Sequence, residues 1–376
     1  MNRPTDQPGT RPGPGSGPRG VPVAIAVSPI LSARIRAQDL DMIRAAAPGA
    51  RVVNLSVEGL ADGPVEEVEV LLRGWLSTEA FDRLLARAPR LRWVHSATSG
   101  VERALTPAAL ERGITVTNAR GVFTRPIAEH VLMLILAISR RLPQLLELQR
   151  ERTWQPLQGV ELRELTIGIV GYGSIGRAVA SLAGAFGARV IAQRRNLQPA
   201  AGPGPGRGGR TGASGPTAAP DAPENRLEEA FPFPPAPERI LGPDGLHELL
   251  ASSDVVVLAA PLTPETEGMI NAAALAAMRP EAWLINVARG RLIDDRALME
   301  ALREHRIGGA ALDAFREEPI PPSSPFYDLP NIILTPHTAW SSARVLDRSI
   351  ELFCDNLRRY AAGGALRNTV DPGAGY

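Results

Sequence analysis

Short apolar, β-branched runs alternate with stretches whose apolar residues recur every three or four positions. In the first third, Val23–Val27, Arg51–Leu55, Val68–Leu72, Leu91–Ser96 and Ile114–Asn118 read as strands, while Ser32–Ala47 and Thr78–Ala88 carry helical spacing. Pro126 suits the first turn of a long helix running to about Leu142. A second set of strands follows at Thr166–Val170, Arg189–Ala192, Val255–Ala259, Trp283–Val287, Gly309–Asp313 and Ile332–Thr335. Helices at Ile175–Phe186, Leu246–Ser252, Ala272–Met278 and Asp295–His305 lie between them, and a last helix, Ser342–Ala361, is expected to return to the first domain. Such alternation predicts α/β architecture with open parallel sheets.

Two tracts interrupt the pattern. Residues 1–20 hold five Pro and five Gly, and Gln198–Pro220 holds five Pro and seven Gly. Neither buries enough apolar surface to fold, so the first reads as a disordered tail and the second as a flexible insertion within a domain. A chain of 376 residues has room for two domains. Its 41 basic and 40 acidic residues leave a formal charge of +1, which argues against a nucleic-acid partner or a polybasic membrane anchor. Every basic residue is Arg, so Schiff-base and P-loop chemistry are excluded. The lone cysteine, Cys354, permits neither an internal disulfide nor a Cys-based zinc site and reads as a packing residue. The apolar run around Ile127–Ile138 contains Glu129 and His130 and is too short to span a bilayer. Val21–Ile30 reads as a first strand rather than a signal segment, so the expected location is the cytoplasm.

Candidate chemistry begins at Gly171-Tyr172-Gly173-Ser174-Ile175-Gly176, where a strand runs through a glycine-rich turn into an amphipathic helix. That is the setting of a dinucleotide-binding fingerprint. Gly171 permits the turn, Gly173 lets a pyrophosphate approach, Gly176 lets helix and strand pack, and the amides of Ser174 and Ile175 face the phosphates. The next strand leads to Arg194 and Arg195, where a carboxylate would stand if a ribose 2′-hydroxyl were read. Guanidinium groups attract a 2′-phosphate, so NADP(H) is the preferred cofactor and NAD(H) the alternative.

Three further segments each follow a strand: Asn286-Val287-Ala288-Arg289-Gly290, Leu312-Asp313-Ala314-Phe315-Arg316-Glu317-Glu318-Pro319 and Leu334-Thr335-Pro336-His337-Thr338-Ala339-Trp340. With the glycine turn, they resemble the D-isomer-specific 2-hydroxyacid dehydrogenases. The resemblance runs from about Leu91 to the C-terminus apart from the insertion, whereas residues 21–90 fit the outline without a motif. It implies two doubly wound parallel-sheet domains. A Rossmann nucleotide-binding domain at 123–338, with the insertion at about 198–238, is set into a flavodoxin-like substrate domain at 21–122 and 339–376. It also implies a homodimer formed through the nucleotide-binding domain.

Oxidising a 2-hydroxy acid requires a cation for the carboxylate, a base for the hydroxyl proton and a hydride acceptor. In the resemblance Arg289 holds the carboxylate and polarises the carbonyl oxygen, His337 is the acid/base, and Glu318 is the carboxylate paired with it. Ser99-Gly100-Val101 matches the loop whose amides receive the substrate carboxylate, although Glu102 stands where the family usually has Asp. Asp313 matches the residue that binds the nicotinamide carboxamide, and the Val287–Ala288 backbone lines the same ring, with Ala288 at a position where Ser is common. Trp340 is placed to wall the substrate pocket. Glu129-His130 matches a helix start and is read as structural, as are His95, His247 and His305. No cluster has metal-ligand spacing. The implied substrate is a small 2-keto or 2-hydroxy acid, with a glyoxylate/hydroxypyruvate-type reductase favoured. A phosphoglycerate dehydrogenase-like enzyme and a nucleotide-sensing scaffold resembling the C-terminal binding protein co-repressors are the alternatives. Formate oxidation pairs the histidine with Gln, and Glu318 argues against it.

Overall fold

The parallel strands expected from the β-branched runs are present in the computed structural model, which describes residues 24–30, 35–195 and 237–372. The tail expected at 1–20, and all but the last two residues of the insertion expected at 198–238, lie outside the described residues. In chain order the first elements are β1 (Ala24–Val27), α1 (Ala37–Ala46), β2 (Arg51–Asn54), β3 (Val68–Arg73), α2 (Thr78–Arg87), β4 (Trp93–Ser96), α3 (Pro107–Glu111) and β5 (Thr115–Thr117). Then follow α4 (Thr124–Ser139), α5 (Leu142–Arg150), β6 (Thr166–Val170), α6 (Ser174–Ala185), β7 (Arg189–Gln193), β8 (Arg239–Leu241), α7 (Leu246–Ser252) and β9 (Val255–Leu258). The last are α8 (Ala272–Ala277), β10 (Trp283–Asn286), α9 (Asp295–Arg303), β11 (Gly309–Leu312), β12 (Ile332–Leu334) and α10 (Val345–Ala361).

The chain forms two units that divide at Ala119/Arg120 and Val345/Leu346, against expected domain limits at 122/123 and 338/339. In the first unit, five strands pair in the order β2-β1-β3-β4-β5, a flavodoxin-like arrangement. In the second, seven strands pair as β12-β11-β10-β9-β6-β7-β8. That order runs outward in both directions from β6, as in a Rossmann sheet, with the reversal between β6 and β9. All the ladders in both sheets are parallel. Central strands such as β6, β9 and β11 are buried along their whole length, the usual state of parallel strands covered on both faces.

The helix expected from Pro126 to about Leu142 is α4, which ends at Ser139, and a further helix, α5, follows it. Arg141 adopts a left-handed conformation (φ 58°), which ends α4 and starts α5 in a new direction. Strand β8 escapes the hydrophobic pattern because only three residues form it, and they add an edge to the sheet.

In the first unit, α10 packs Phe353 and Tyr360 against Trp93 of β4, with ring centroids 5.5 and 5.4 Å apart. His95, on the same strand, is fully buried. Thr117 Oγ1 accepts a hydrogen bond from Trp93 Nε1 (2.9 Å) and is also paired with His95 Nδ1 (2.8 Å). His95 Nε2 has no hydrogen-bond partner among the described residues. Burial pushes the His95 imidazole down to about 3. The unfolded chain takes up this proton near pH 6.5, so between about pH 3 and pH 6.5 it binds more protons than the folded one. Lowering the pH through that window therefore destabilises the fold, with a slope approaching about 1.4 kcal/mol per pH unit. Urea unfolding from pH 7 to pH 4 checks this. The slope should flatten in His95→Leu, and an unchanged slope would refute the assignment.

Candidate active site

The glycine turn closes the carboxyl end of β6 at the strand-order reversal. Gly171 has φ +99°, and a Cβ there would lie 2.5 Å from the Ala260 nitrogen, so only glycine fits. The amides of Gly171 and Tyr172 both donate to the Gln193 carbonyl, at 3.1 and 3.0 Å, tying the turn to the end of β7. A Cβ on Gly176 would overlap the Gly171 carbonyl oxygen, whereas one on Gly173 would meet nothing within 4 Å. The turn is thus crowded on the protein side and open at Gly173. No side chain caps α6, so the first amides of the helix, at Ser174 and Ile175, are available to an anion. These features suit a dinucleotide pyrophosphate.

Arg194 and Arg195 follow β7, and the Arg194 amide is held by the Leu241 carbonyl of β8 (3.0 Å). Burial pushes the Tyr172 phenol above its usual value, while the charges of Arg177 and Arg194 pull it back. Arg177, on the first turns of α6, is a cation that motif reading passed over, because the fingerprint ends at Gly176. Glu265 lies in the loop after β9. Its carboxyl is lowered mainly by the Thr263 hydroxyl and its own backbone, and also by Arg195.

Arg289, Glu318 and His337 follow β10, β11 and β12, three adjacent strands of one sheet. Buried Asn286 shapes the turn before Arg289, since its Oδ1 accepts from the Ala288 amide (3.0 Å) and its Nδ2 donates to the Arg289 carbonyl (3.0 Å). This orients the Val287–Ala288 backbone. Gly290 packs directly on the Phe315–Arg316 backbone, so the turns after β10 and β11 interlock. Glu318 accepts the Phe315 amide on Oε1 (2.8 Å) and His337 Nδ1 on Oε2 (2.7 Å). The imidazole therefore carries its fixed proton on Nδ1 and exchanges the other at Nε2. Both side chains are partly exposed, as a group that meets substrate must be.

His337 has φ +47°, a left-handed conformation that costs a non-glycine residue about 1–3 kcal/mol. Asp313 holds it there. This buried carboxylate accepts Thr335 Oγ1 (2.6 Å) and the Thr338 amide (2.9 Å) on Oδ1, and the Ala339 amide (3.0 Å) on Oδ2. The resemblance assigns Asp313 to the nicotinamide carboxamide. The structure shows it bracketing the loop that carries His337, and Trp340, half-buried, follows the bracketed amides. Thr335 is a second residue that motif reading missed.

In the first unit, Ser99-Gly100-Val101 follows β4. The carbonyls of Thr98, Ser99, Gly100 and Val101 accept from the Ala119 amide, Asn118 Nδ2, Thr98 Oγ1 and the Ala104 amide at 3.1, 3.0, 2.7 and 2.8 Å. Among the described residues, none of the amides of Ser99, Gly100 and Val101 donates to a protein acceptor. A loop with its carbonyls occupied and its amides available is suited to a carboxylate. Among the described residues no group of His, Cys, Asp and Glu is arranged to hold a metal ion, and no helix is long and apolar enough to cross a membrane.

Comparison with known proteins agrees with this geometry. The sequence pattern of the D-isomer specific 2-hydroxyacid dehydrogenase NAD-binding domain matches residues 132–204 and 234–339. A glyoxylate reductase of Aeropyrum pernix is 35% identical over 299 residues, covering 77% of this chain and 78% of the relative. A glyoxylate reductase of Korarchaeum cryptofilum is 32% identical over 341 residues, covering 89% and 90%. Among solved structures, a D-isomer specific 2-hydroxyacid dehydrogenase from Xanthobacter autotrophicus Py2, in complex with NADPH and MES, superposes with a TM-score of 0.74 at 28% identity, covering 96% of this chain and all of that one. The chain belongs to the D-isomer specific 2-hydroxyacid dehydrogenase family. It is an NAD(P)-dependent oxidoreductase acting on the CH–OH group of 2-hydroxy acids.

Glu318→Gln keeps the size of the side chain and removes the charge that holds His337 Nδ1. It should lower kcat by about 10²- to 10⁴-fold with nucleotide binding retained. Combined with His337→Ala, it should cost no more than His337→Ala alone, because the two act as one unit. Steady-state kinetics of the three variants test this, and additive losses would show that Glu318 and His337 act separately.

Proposed function

We propose that this enzyme is an NADPH-linked reductase of glyoxylate, hydroxypyruvate or a related small 2-keto acid, forming the D-2-hydroxy acid. The observation that carries the reading is the 2.7 Å pairing of Glu318 with His337 at the carboxyl ends of strands that also present Arg289. Arg289 binds the substrate carboxylate and polarises the keto oxygen. His337, protonated and held by Glu318, gives that oxygen its proton from Nε2. The bound nicotinamide supplies the hydride. The available amides of Ser99–Val101 are suited to a carboxylate, and Trp340 limits the size of the substrate's side chain. The residues for the cofactor are the glycine turn, the Val287–Ala288 backbone and Asp313, with Arg194 and Arg195 taking the 2′-phosphate.

A panel of 2-keto acids assayed with NADPH and NADH in parallel tests this reading. Turnover of glyoxylate or hydroxypyruvate, faster with NADPH, is the expected result. Turnover of neither would overturn the substrate class. Arg194→Asp should reverse the coenzyme preference by about tenfold or more, since it replaces an attractive charge with a repulsive one. An unchanged NADPH/NADH ratio of kcat/KM would remove the 2′-phosphate argument.

The partner we propose is a second copy of the chain, docked through α4 and α5. Helix α5 buries none of its residues, and Leu142, Leu145 and Leu146 stand exposed on it beside Met133 of α4. Met133, Leu142 and Leu146 line a groove of about 410 Å³ with Ile332, Ile333 and Leu334 of β12. A two-fold pairing covers the same apolar surface on both copies at once. Sedimentation should give a dimer at micromolar concentration that Leu146→Glu converts to monomer. A monomeric wild-type protein would refute this partner.

A further inference from the structure

The contacts of Asp313 lead to a residue that the sequence places at a helix start in a structural role. His130 lies on α4, on the flank of the face formed by Thr124, Ile127, Ala128, Val131, Leu134 and Ile135, and its side chain is only 13% exposed. A leucine would fill such a place by packing alone. The imidazole instead reaches Thr335, with Nε2 3.3 Å from the hydroxyl and 3.9 Å from Asp313 Oδ1. Thr335 gives its own proton to Asp313 at 2.6 Å, so toward His130 its oxygen accepts. His130 is thereby fixed as the Nε2–H tautomer, and the chain of donors runs from imidazole to hydroxyl to carboxylate. Burial lowers the His130 pKa against the pull of the Asp313 charge, which favours the neutral ring this chain requires.

The three groups meet at the loop that presents the acid/base. Thr335 stands two residues before His337, and its carbonyl accepts the His337 amide (2.9 Å). Asp313 binds the two amides that follow, at Thr338 and Ala339. We propose that His130 is a positioning residue for the reaction. It holds the Thr335 hydroxyl on Asp313, and so keeps the His337 backbone in its left-handed conformation with Nδ1 on Glu318. The inference rests on the reading of His337 as the proton donor and adds a residue on a helix to the support of that donor.

The test uses the full-length protein and four variants. His130→Gln keeps a donor near the Nε2 position, and His130→Leu keeps volume without one. Thr335→Ser keeps the hydroxyl, and Thr335→Val removes it. Expected are losses in kcat of about tenfold or more for the Leu and Val variants, recovery in the Gln and Ser variants, and unchanged nucleotide dissociation constants. The His130→Leu/Thr335→Val double variant should be no slower than Thr335→Val, as members of one chain are not additive. A His130→Leu enzyme with wild-type kcat, or a Gln variant no faster than the Leu variant, overturns the proposal. A readout independent of turnover separates this from the proposed activity. The imidazole C–H resonances of His337, assigned by their loss in His337→Ala, should shift in His130→Leu and hold in His130→Gln. Unchanged resonances in His130→Leu refute the positioning role whether or not any keto acid is reduced. A wild-type protein inactive on every keto acid, with those resonances shifted in His130→Leu, refutes the substrate reading and supports the positioning role.

Discussion

The site in the second unit depends on one buried carboxylate. Burying a charge is costly unless hydrogen bonds replace the lost water, and Asp313 finds its donors in the loop it must hold. The loop cannot move without stripping the carboxylate of those donors, and the carboxylate cannot be satisfied unless the loop is in place. This mutual requirement offsets the left-handed backbone at His337 and lets a three-residue, half-exposed strand, β12, present the His337 side chain in one orientation. Glu318 works the same way on a smaller scale. One oxygen is tied to the Phe315 amide, so the other is fixed where His337 needs it. Two carboxylates from the same connection thus divide the work, the buried one holding backbone and the exposed one holding the imidazole.

Parallel topology makes this economical. In a parallel sheet every strand ends on the same side, so loops far apart in sequence gather without special devices. The order β12-β11-β10 sets the three functional loops side by side, and β9 separates them from the glycine turn on β6. Close packing then locks neighbouring loops together. Gly290 against the Phe315–Arg316 backbone and Gly171 against Ala260 are places where a single added methyl group would push two turns apart.

The fold was legible wherever a strand is buried on both faces, because such strands must be apolar throughout. β6, β9 and β11 are of this kind. It was not legible where local signals conflict with tertiary need. Arg141 takes a left-handed conformation between α4 and α5, with Pro143 in the first turn of α5, and Arg239–Leu241 forms a strand through pairing with β7 rather than through its own pattern. In the site, Arg289, Glu318 and His337 could be read from motifs because their residue types perform chemistry. The bracket on Asp313 could not, since two of its three donors are backbone amides and any residue type supplies those. His130 could be read only as a structural residue of a helix start, because its partner Thr335 lies 205 positions away.

Three histidines show how far environment, rather than residue type, decides a role. His95 is sealed among aromatic rings with Thr117 as its sole hydrogen-bond partner among the described residues, and burial holds it neutral through the physiological range. It cannot exchange a proton in the folded protein. His130 is nearly as enclosed, but it faces a hydroxyl that is itself committed to a carboxylate, so it is useful as a fixed donor. His337 alone of the three has a carboxylate on one nitrogen and an accessible ring beyond it, the two conditions for accepting and returning a proton in each turnover. Identical imidazoles thus acquire different capacities because the donors, acceptors and solvent around them differ. The same reasoning separates Asp313 from Glu318, and it explains why a carboxylate named by a motif can serve chiefly to hold its neighbour's backbone.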